Sequence, residues 1–203
     1  MQKHYTLLCL GDSYTIGEAV LLQQSFPYHT VQMLRKEGFD FAAPEIVAKT
    51  GWTTEELQDG ISGYQFSAKY DFVTLLIGVN NQYRKQDILL YKQQFEALLV
   101  KSIELAGGKK DHVFVLSIPD YSVTPFAVDK NPEQVHKEID EYNKLNKAIC
   151  IQYKLPFLDN TESFREAQIN DNLIAEDGLH PSGKEYERWA QKLADNIAGQ
   201  LKK

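Results

Sequence analysis

The feature that most limits the fold of this chain is a repeated alternation. Short, continuously apolar runs give way to longer stretches of helical periodicity, five times over. The apolar runs occupy residues 5–10, 45–48, 71–77, 112–118 and 155–158. Between them, Phe26-Pro27 opens a helix that brings Val31, Leu34 and Arg35 into register and ends at Gly38. Thr53 stands three residues ahead of Glu56, the capping-box spacing, and predicts a short helix through Leu57. Asp87 starts a long helix carrying Leu90, Phe95, Leu98, Leu99, Ile103 and Leu105, which stops at Gly107-Gly108. A further helix is predicted over 133–153, and an amphipathic one over 181–201, with Pro181 at its first position.

Strands that are apolar along their whole length fit a parallel sheet covered on both faces. With helices between successive strands and right-handed crossovers, the prediction is an α/β protein, a three-layer α/β/α sandwich with a flavodoxin-like five-stranded parallel sheet in the order 2-1-3-4-5. No linker, repeat or low-complexity tract divides the chain, so residues 1–203 are read as a single domain.

In such sheets ligands collect at the carboxyl ends of the strands, near the switch in strand order. Four segments are predicted on that rim: Gly11-Asp12-Ser13, Lys49-Thr50-Gly51-Trp52, Gly78-Val79-Asn80-Asn81, and Asp177-Gly178-Leu179-His180 before Pro181. They supply a hydroxyl, a backbone N–H beside a glycine, a side-chain amide, and an acid three residues ahead of an imidazole. A serine hydroxyl is a poor nucleophile until a base takes its proton, and His180 is the candidate base for Ser13. Asp177 is placed to fix the imidazole tautomer and to stabilise the imidazolium. The oxyanion of a tetrahedral intermediate needs pre-aimed donors, and the N–H groups of Ser13 and Gly51 with the Asn80 amide are the candidates. The competing reading of Ser13 is a helix N-cap. Asp12 is expected to order the turn by accepting backbone N–H bonds.

These four blocks, in this order and spacing, resemble those of the SGNH (GDSL) hydrolases over nearly the whole chain. The resemblance implies an esterase or lipase-like hydrolase that needs no metal or other cofactor. It assigns Ser13 as nucleophile and donor, Gly51 and Asn80 as further donors, and Asp177 and His180 as triad partners. Two positions depart from the pattern. Tyr14 stands where the family name has Leu, and Asn81 replaces the Asp that usually follows the block-three Asn, a change that bears on the support of the loop and its geometry rather than on the catalytic amide.

Tyr14, Trp52 and Tyr83 follow the rim motifs, and Tyr121, Phe126 and Leu173 lie in two long loops, 119–132 and 160–176. All six are candidate walls of a substrate pocket, with packing in the core as the alternative role. The expected partner is a small-molecule acyl ester. Within the same site the substrate reads as a simple carboxylic ester, a thioester, a lysophospholipid or an O-acetylated carbohydrate. A non-enzymatic reading also stands: a flavodoxin-like module whose GDSYTIG turn cradles an anion.

Charge narrows the partners. The formal net charge is −6 and no Lys/Arg block exceeds two residues, against a nucleic-acid footprint. No apolar stretch approaches the roughly 18 to 20 residues that span a bilayer. The start, MQKHYTLLCLGDS, has no leader pattern and sets the expectation of a cytoplasmic protein, with a mature secreted form as the alternative. Cys9 and Cys150 are read as buried reduced thiols, and no Cys/His cluster suggests a metal.

Overall fold

The structure is a computed structural model, and it describes residues 3–202. In chain order the elements are β1 (His4–Tyr5), β2 (Leu7–Gly11), α1 (Ser13–Ile16), α2 (Phe26–Lys36), β3 (Asp40–Phe41), β4 (Glu45–Ala48), α3 (Thr54–Ser62), β5 (Phe72–Leu76), α4 (Val79–Tyr83), α5 (Ile88–Leu105), β6 (Val113–Leu116), α6 (Pro132–Tyr153), β7 (Phe157–Leu158), α7 (Thr161–Arg165) and α8 (Gly183–Leu201). Five strands form one parallel sheet in the order β4-β2-β5-β6-β7, which is 2-1-3-4-5 counted along the main sheet. β1 and β3 form a separate two-residue parallel pair at its base.

The three layers follow from the apolar strands. All five residues of β5 and all four of β6 are buried. Burial of each large apolar side chain contributes about 1.5–3 kcal/mol relative to exposure. Both faces must therefore be covered. α2 and α8 pack on each other along one face, while α3, α5 and α6 pack in series on the other.

Capping chemistry sets several boundaries. The Thr53–Glu56 box is formed, but α3 runs on to Ser62 because Leu57 and Ile61 continue its buried stripe. Asp87 caps α5 by accepting from the N–H groups of Leu89 and Leu90. The last strand is trimmed to Phe157–Leu158. The start of α8 is shifted from the expected one: Ser182 is the N-cap and Gly183 the first helical residue. Pro181 is instead bridged to Ile174, with Ala175 N–H donating to the His180 carbonyl at 2.7 Å and Ser182 N–H to Leu173 at 2.8 Å. Those two bonds hold residues 180–182 extended and delay the helix.

The registers level the rim. Gly11 pairs with Ala48 on one side and Leu76 on the other, so β4, β2 and β5 end together. The loops leaving β2 and β5 meet at the switch in strand order, where a crevice opens.

Candidate active site

The turn after β2 is built by crowding. A Cβ on Gly11 would lie 2.1 Å from the Thr15 hydroxyl and 2.4 Å from the Leu76 carbonyl oxygen. Glycine is thus required there for space, not for a sharp turn of the backbone. Asp12, not Ser13, is the N-cap of α1: its Oδ1 accepts the Tyr14 N–H at 3.0 Å. The capping alternative for Ser13 is thereby corrected, because the preceding carboxylate already fills the role. As the first helical residue, Ser13 has no intrahelical acceptor for its N–H.

Asp12 is fully buried and its Oδ2 has no hydrogen-bond partner among the described residues. Burial pushes its carboxyl up to about 8, and the bond from the Tyr14 N–H offsets only part of that. A neutral acid is the form this environment accommodates.

Opposite the turn, Asp177 and His180 are paired. Asp177 Oδ2 lies 2.5 Å from His180 Nδ1, while Asp177 Oδ1 accepts the N–H groups of Leu179 and His180, both at 3.0 Å. Gly178, at φ 71°, permits the tight return between them. Partial burial raises the Asp177 carboxyl, but the bonds from the His180 ring and the two N–H groups outweigh it and hold it below the ordinary range. His180 is itself 6% exposed, and the Tyr14 ring packs on it with centroids 4.9 Å apart. In this conformation the Ser13 hydroxyl makes no hydrogen bond with the His180 ring; such contacts often tighten only around substrate.

The third strand end supplies the amide. Gly78, the N-cap of α4, sits at φ 131°, and a Cβ there would strike the Tyr91 hydroxyl at 2.4 Å. Asn80 follows on the first turn of α4. One hydrogen of its Nδ2 is committed to the Trp52 carbonyl at 3.0 Å, which leaves the second for the crevice. Gly51 adopts φ 80°, its carbonyl accepts from Arg84 Nη2 at 2.6 Å, and its N–H meets no acceptor among the described residues. Arg84 Nη1 also reaches Glu56 at 3.1 Å, so one guanidinium ties the block-two loop to α3 and α4.

Asn81 is enclosed by complementary groups. Its Oδ1 accepts the Thr54 N–H at 3.1 Å, and its Nδ2 donates to Thr54 Oγ1 at 2.7 Å and Gln86 Oε1 at 2.8 Å. A carboxylate at this position would present an acceptor to two acceptors. The departure from the family pattern is matched by its surroundings.

Ser13, Tyr14, Asn80, Tyr83, Tyr121, Phe126 and His180 line one cavity of about 90 Å³, together with Val79 and Leu179. Four of the six predicted wall residues are therefore present. The other two do not line it. Leu173 is buried at 1% exposure under the bridge to Ser182, away from the cavity. The Trp52 ring packs over Gly60, where a Cβ would come within 2.3 Å of it, and only its carbonyl serves the site. Gly51 lies beside the cavity, next to Asn80's acceptor, without lining it. Leu179 was missed; its place between Asp177 and His180 was the available signal. The sequence also gave no sign of Asp120, a fully buried carboxylate paired to Arg165 at 2.8 Å and His136 at 2.7 Å, which anchors the loop carrying Tyr121 and Phe126.

A larger concavity of about 770 Å³ lies behind that loop, between Val123, Pro125, His136, Arg165 and Ile174. Its lining includes Arg165 and His136, the two partners of the buried Asp120, and it shares no lining residue with the small cavity. Among the described residues no cluster of His, Cys, Asp and Glu is arranged to hold a metal ion, and no helix is long and apolar enough to cross a membrane. Cys9 and Cys150 are both buried free thiols.

Comparison with known proteins agrees with this architecture. The chain is 24% identical, over 182 residues, to an acetylxylan esterase from Geobacillus stearothermophilus, covering 85% of this chain and 75% of that protein. The crystal structure of that esterase superposes with a TM-score of 0.72 at 19% identity, covering 95% of this chain and 94% of the other. A lipase/acylhydrolase from Enterococcus faecalis has the same fold, with a TM-score of 0.76, 19% identity and coverage of 97% and 96%. The profile of one family matches residues 9–188, nearly the whole chain. The strand-end blocks, the sheet that levels them and this match lead to one conclusion: the chain belongs to the GDSL-like lipase/acylhydrolase family and is a carboxylic ester hydrolase.

Proposed function

We propose that the protein hydrolyses short-chain carboxylic esters through an acyl-enzyme on Ser13. The observation that carries this reading is that Ser13, His180 and Asn80 line one small cavity while Asp177 holds the His180 Nδ1 at 2.5 Å. Ser13 Oγ attacks the ester carbonyl carbon as its proton passes to His180 Nε2. The negative oxygen is met by the N–H groups of Ser13 and Gly51 and by the free Asn80 amide hydrogen. Collapse expels the alcohol, which takes the proton back from His180. Water, deprotonated by the same nitrogen, then attacks the acyl carbon, and the carboxylic acid leaves as Ser13 recovers its proton.

The size of the cavity favours a small acyl group. Its volume is about 90 Å³, which supports a small acyl group next to Ser13. An O-acetylated carbohydrate is the specific substrate class we favour within this activity, supported by the similarity to an acetylxylan esterase. The anion-cradle alternative is opposed by the Asp177 carboxylate beside His180, which is held below the ordinary range and would repel a phosphate.

The test is hydrolysis of p-nitrophenyl acetate together with labelling by a fluorophosphonate. Ser13→Ala should abolish both, and His180→Ala should suppress both by orders of magnitude. Undiminished turnover by Ser13→Ala would overturn the proposal.

A further inference from the structure

A groove of about 580 Å³ opens from the small cavity, and Tyr83 and Tyr121 line both. Its other walls come from the end of α4, the 129–131 segment and the first turns of α6. None of these residues belongs to the four motif blocks.

The groove is organised around a fixed amide. Gln82 is 4% exposed; its Oε1 accepts from the Tyr121 hydroxyl at 2.9 Å and its Nε2 donates to Glu138 at 2.6 Å. Gln134 donates to the other Glu138 oxygen at 2.7 Å. Two amides thus hold one carboxylate. Both Lys85 and Asn131 border the groove in left-handed conformations, each at φ 53°, a geometry that non-glycine residues seldom adopt.

The charges decide the class of ligand. The charged side chains along the groove are Lys85, Lys130, Asp129 and Glu138, two of each sign. Lys130 is further occupied by Asp129 at 2.8 Å and by the Phe126 ring at 4.1 Å. A surface with no net charge gives no advantage to a phosphorylated leaving group or an ammonium headgroup. Amides, by contrast, give and accept hydrogen bonds and a carboxylate accepts them, which together match the needs of hydroxyl groups. At the junction with the cavity, Tyr83 is 47% exposed and stands 6.2 Å from Tyr121 and 5.9 Å from Phe126. That platform suits the apolar C–H face of a sugar ring.

We infer that this groove is the alcohol-side subsite of the enzyme and takes a neutral, polyhydroxylated leaving group of saccharide type. The inference rests on the serine-hydrolase reading and adds which surface recognises the alcohol. Recognition acts on the part of the substrate remote from the reacting carbonyl, so it appears as selectivity between esters of the same acid.

The measurement is the ratio of kcat/KM for a mono-O-acetylated methyl glycopyranoside to that for ethyl acetate, whose alcohol is too short to enter the groove. A ratio does not depend on the fraction of protein that is folded. We expect a native ratio of at least a hundred. In the double variant Asn131→Gly/Gln134→Leu it should fall tenfold or more, mainly through KM of the sugar ester. Glycine suits the left-handed position of residue 131, so the backbone is kept while the amide is lost. A native ratio near one, an unchanged ratio in the variant, or a preference for acetyl-coenzyme A over the sugar ester would each overturn the subsite. Failure of the underlying reading looks different: Ser13→Ala would then still hydrolyse both esters.

Discussion

Replacing Asp177 by Asn separates orientation of the imidazole from architecture. Asp177 Oδ1 accepts two backbone N–H groups at 3.0 Å, and an amide oxygen accepts them equally well. The change therefore acts at Oδ2, which lies 2.5 Å from His180 Nδ1. An NH2 group there donates and cannot accept. The ring must then turn its lone pair to Nδ1 and carry its proton on Nε2, the nitrogen needed as base for Ser13. The same change in other Ser-His-Asp enzymes lowers kcat by about 10⁴, or about 5 kcal/mol in the barrier. Stability should barely respond, because the Asp177 side chain is 32% exposed and Asn keeps the two backbone bonds. We expect kcat for p-nitrophenyl acetate at neutral pH to fall between about 10³- and 10⁴-fold, with a thermal midpoint within a few degrees of the native protein. Ser13→Ala supplies the floor. A folded Asp177→Asn protein retaining more than a tenth of native kcat would refute the tautomer argument.

Other consequences can be measured independently. Asn80→Ala should lower kcat by about 10²–10³ with little change in KM, since the amide hydrogen left free by the Trp52 carbonyl is used only in the transition state; an equal effect on KM alone would count against that role. Asn81→Asp should cost roughly 2–3 kcal/mol in urea unfolding, because two buried donations at 2.7 and 2.8 Å are lost and a carboxylate faces their acceptors; a neutral result would show that Gln86 and Thr54 reorient freely. Asp12 makes stability depend on pH. Its folded pKa of about 8 lies above its value near 4 in the unfolded chain, so between those values the native state binds the extra proton and stability declines as pH rises. From pH 5 to pH 8 this amounts to about 4 kcal/mol at most, at 1.36 kcal/mol per unit. Asp12→Asn keeps the cap oxygen and should flatten that slope, and identical slopes for the two proteins would remove Asp12 as the cause.

Much of the architecture was legible because its signals are local. Continuous apolar runs identified the strands of the main sheet, and their alternation with helices, joined to the handedness of crossovers, predicted the order β4-β2-β5-β6-β7. Thr53 with Glu56 and Asp87 marked helix starts, since a cap acts on N–H groups two or three residues away. The four blocks carrying Ser13, Gly51, Asn80 and the Asp177–His180 pair were likewise readable, and the sheet sets the first three at one level because Gly11, Ala48 and Leu76 share a register.

What only the tertiary structure decided depends on neighbours far apart in the chain. Gly11 is required by the Leu76 carbonyl and by Thr15, not by its own backbone angles. The helix start at Ser182 depends on the strand-like bridge to Ile174, which no capping rule contains. Leu173 and Trp52 have the apolar character of pocket walls, yet the bridge and Gly60 turn them into packing residues. Asn81 is matched by Thr54, 27 residues away, and Gln82 by Glu138, 56 away. Periodicity and capping specify where elements begin and which face is apolar. Which polar groups meet, and therefore what surrounds the reacting serine, is set only when the elements pack.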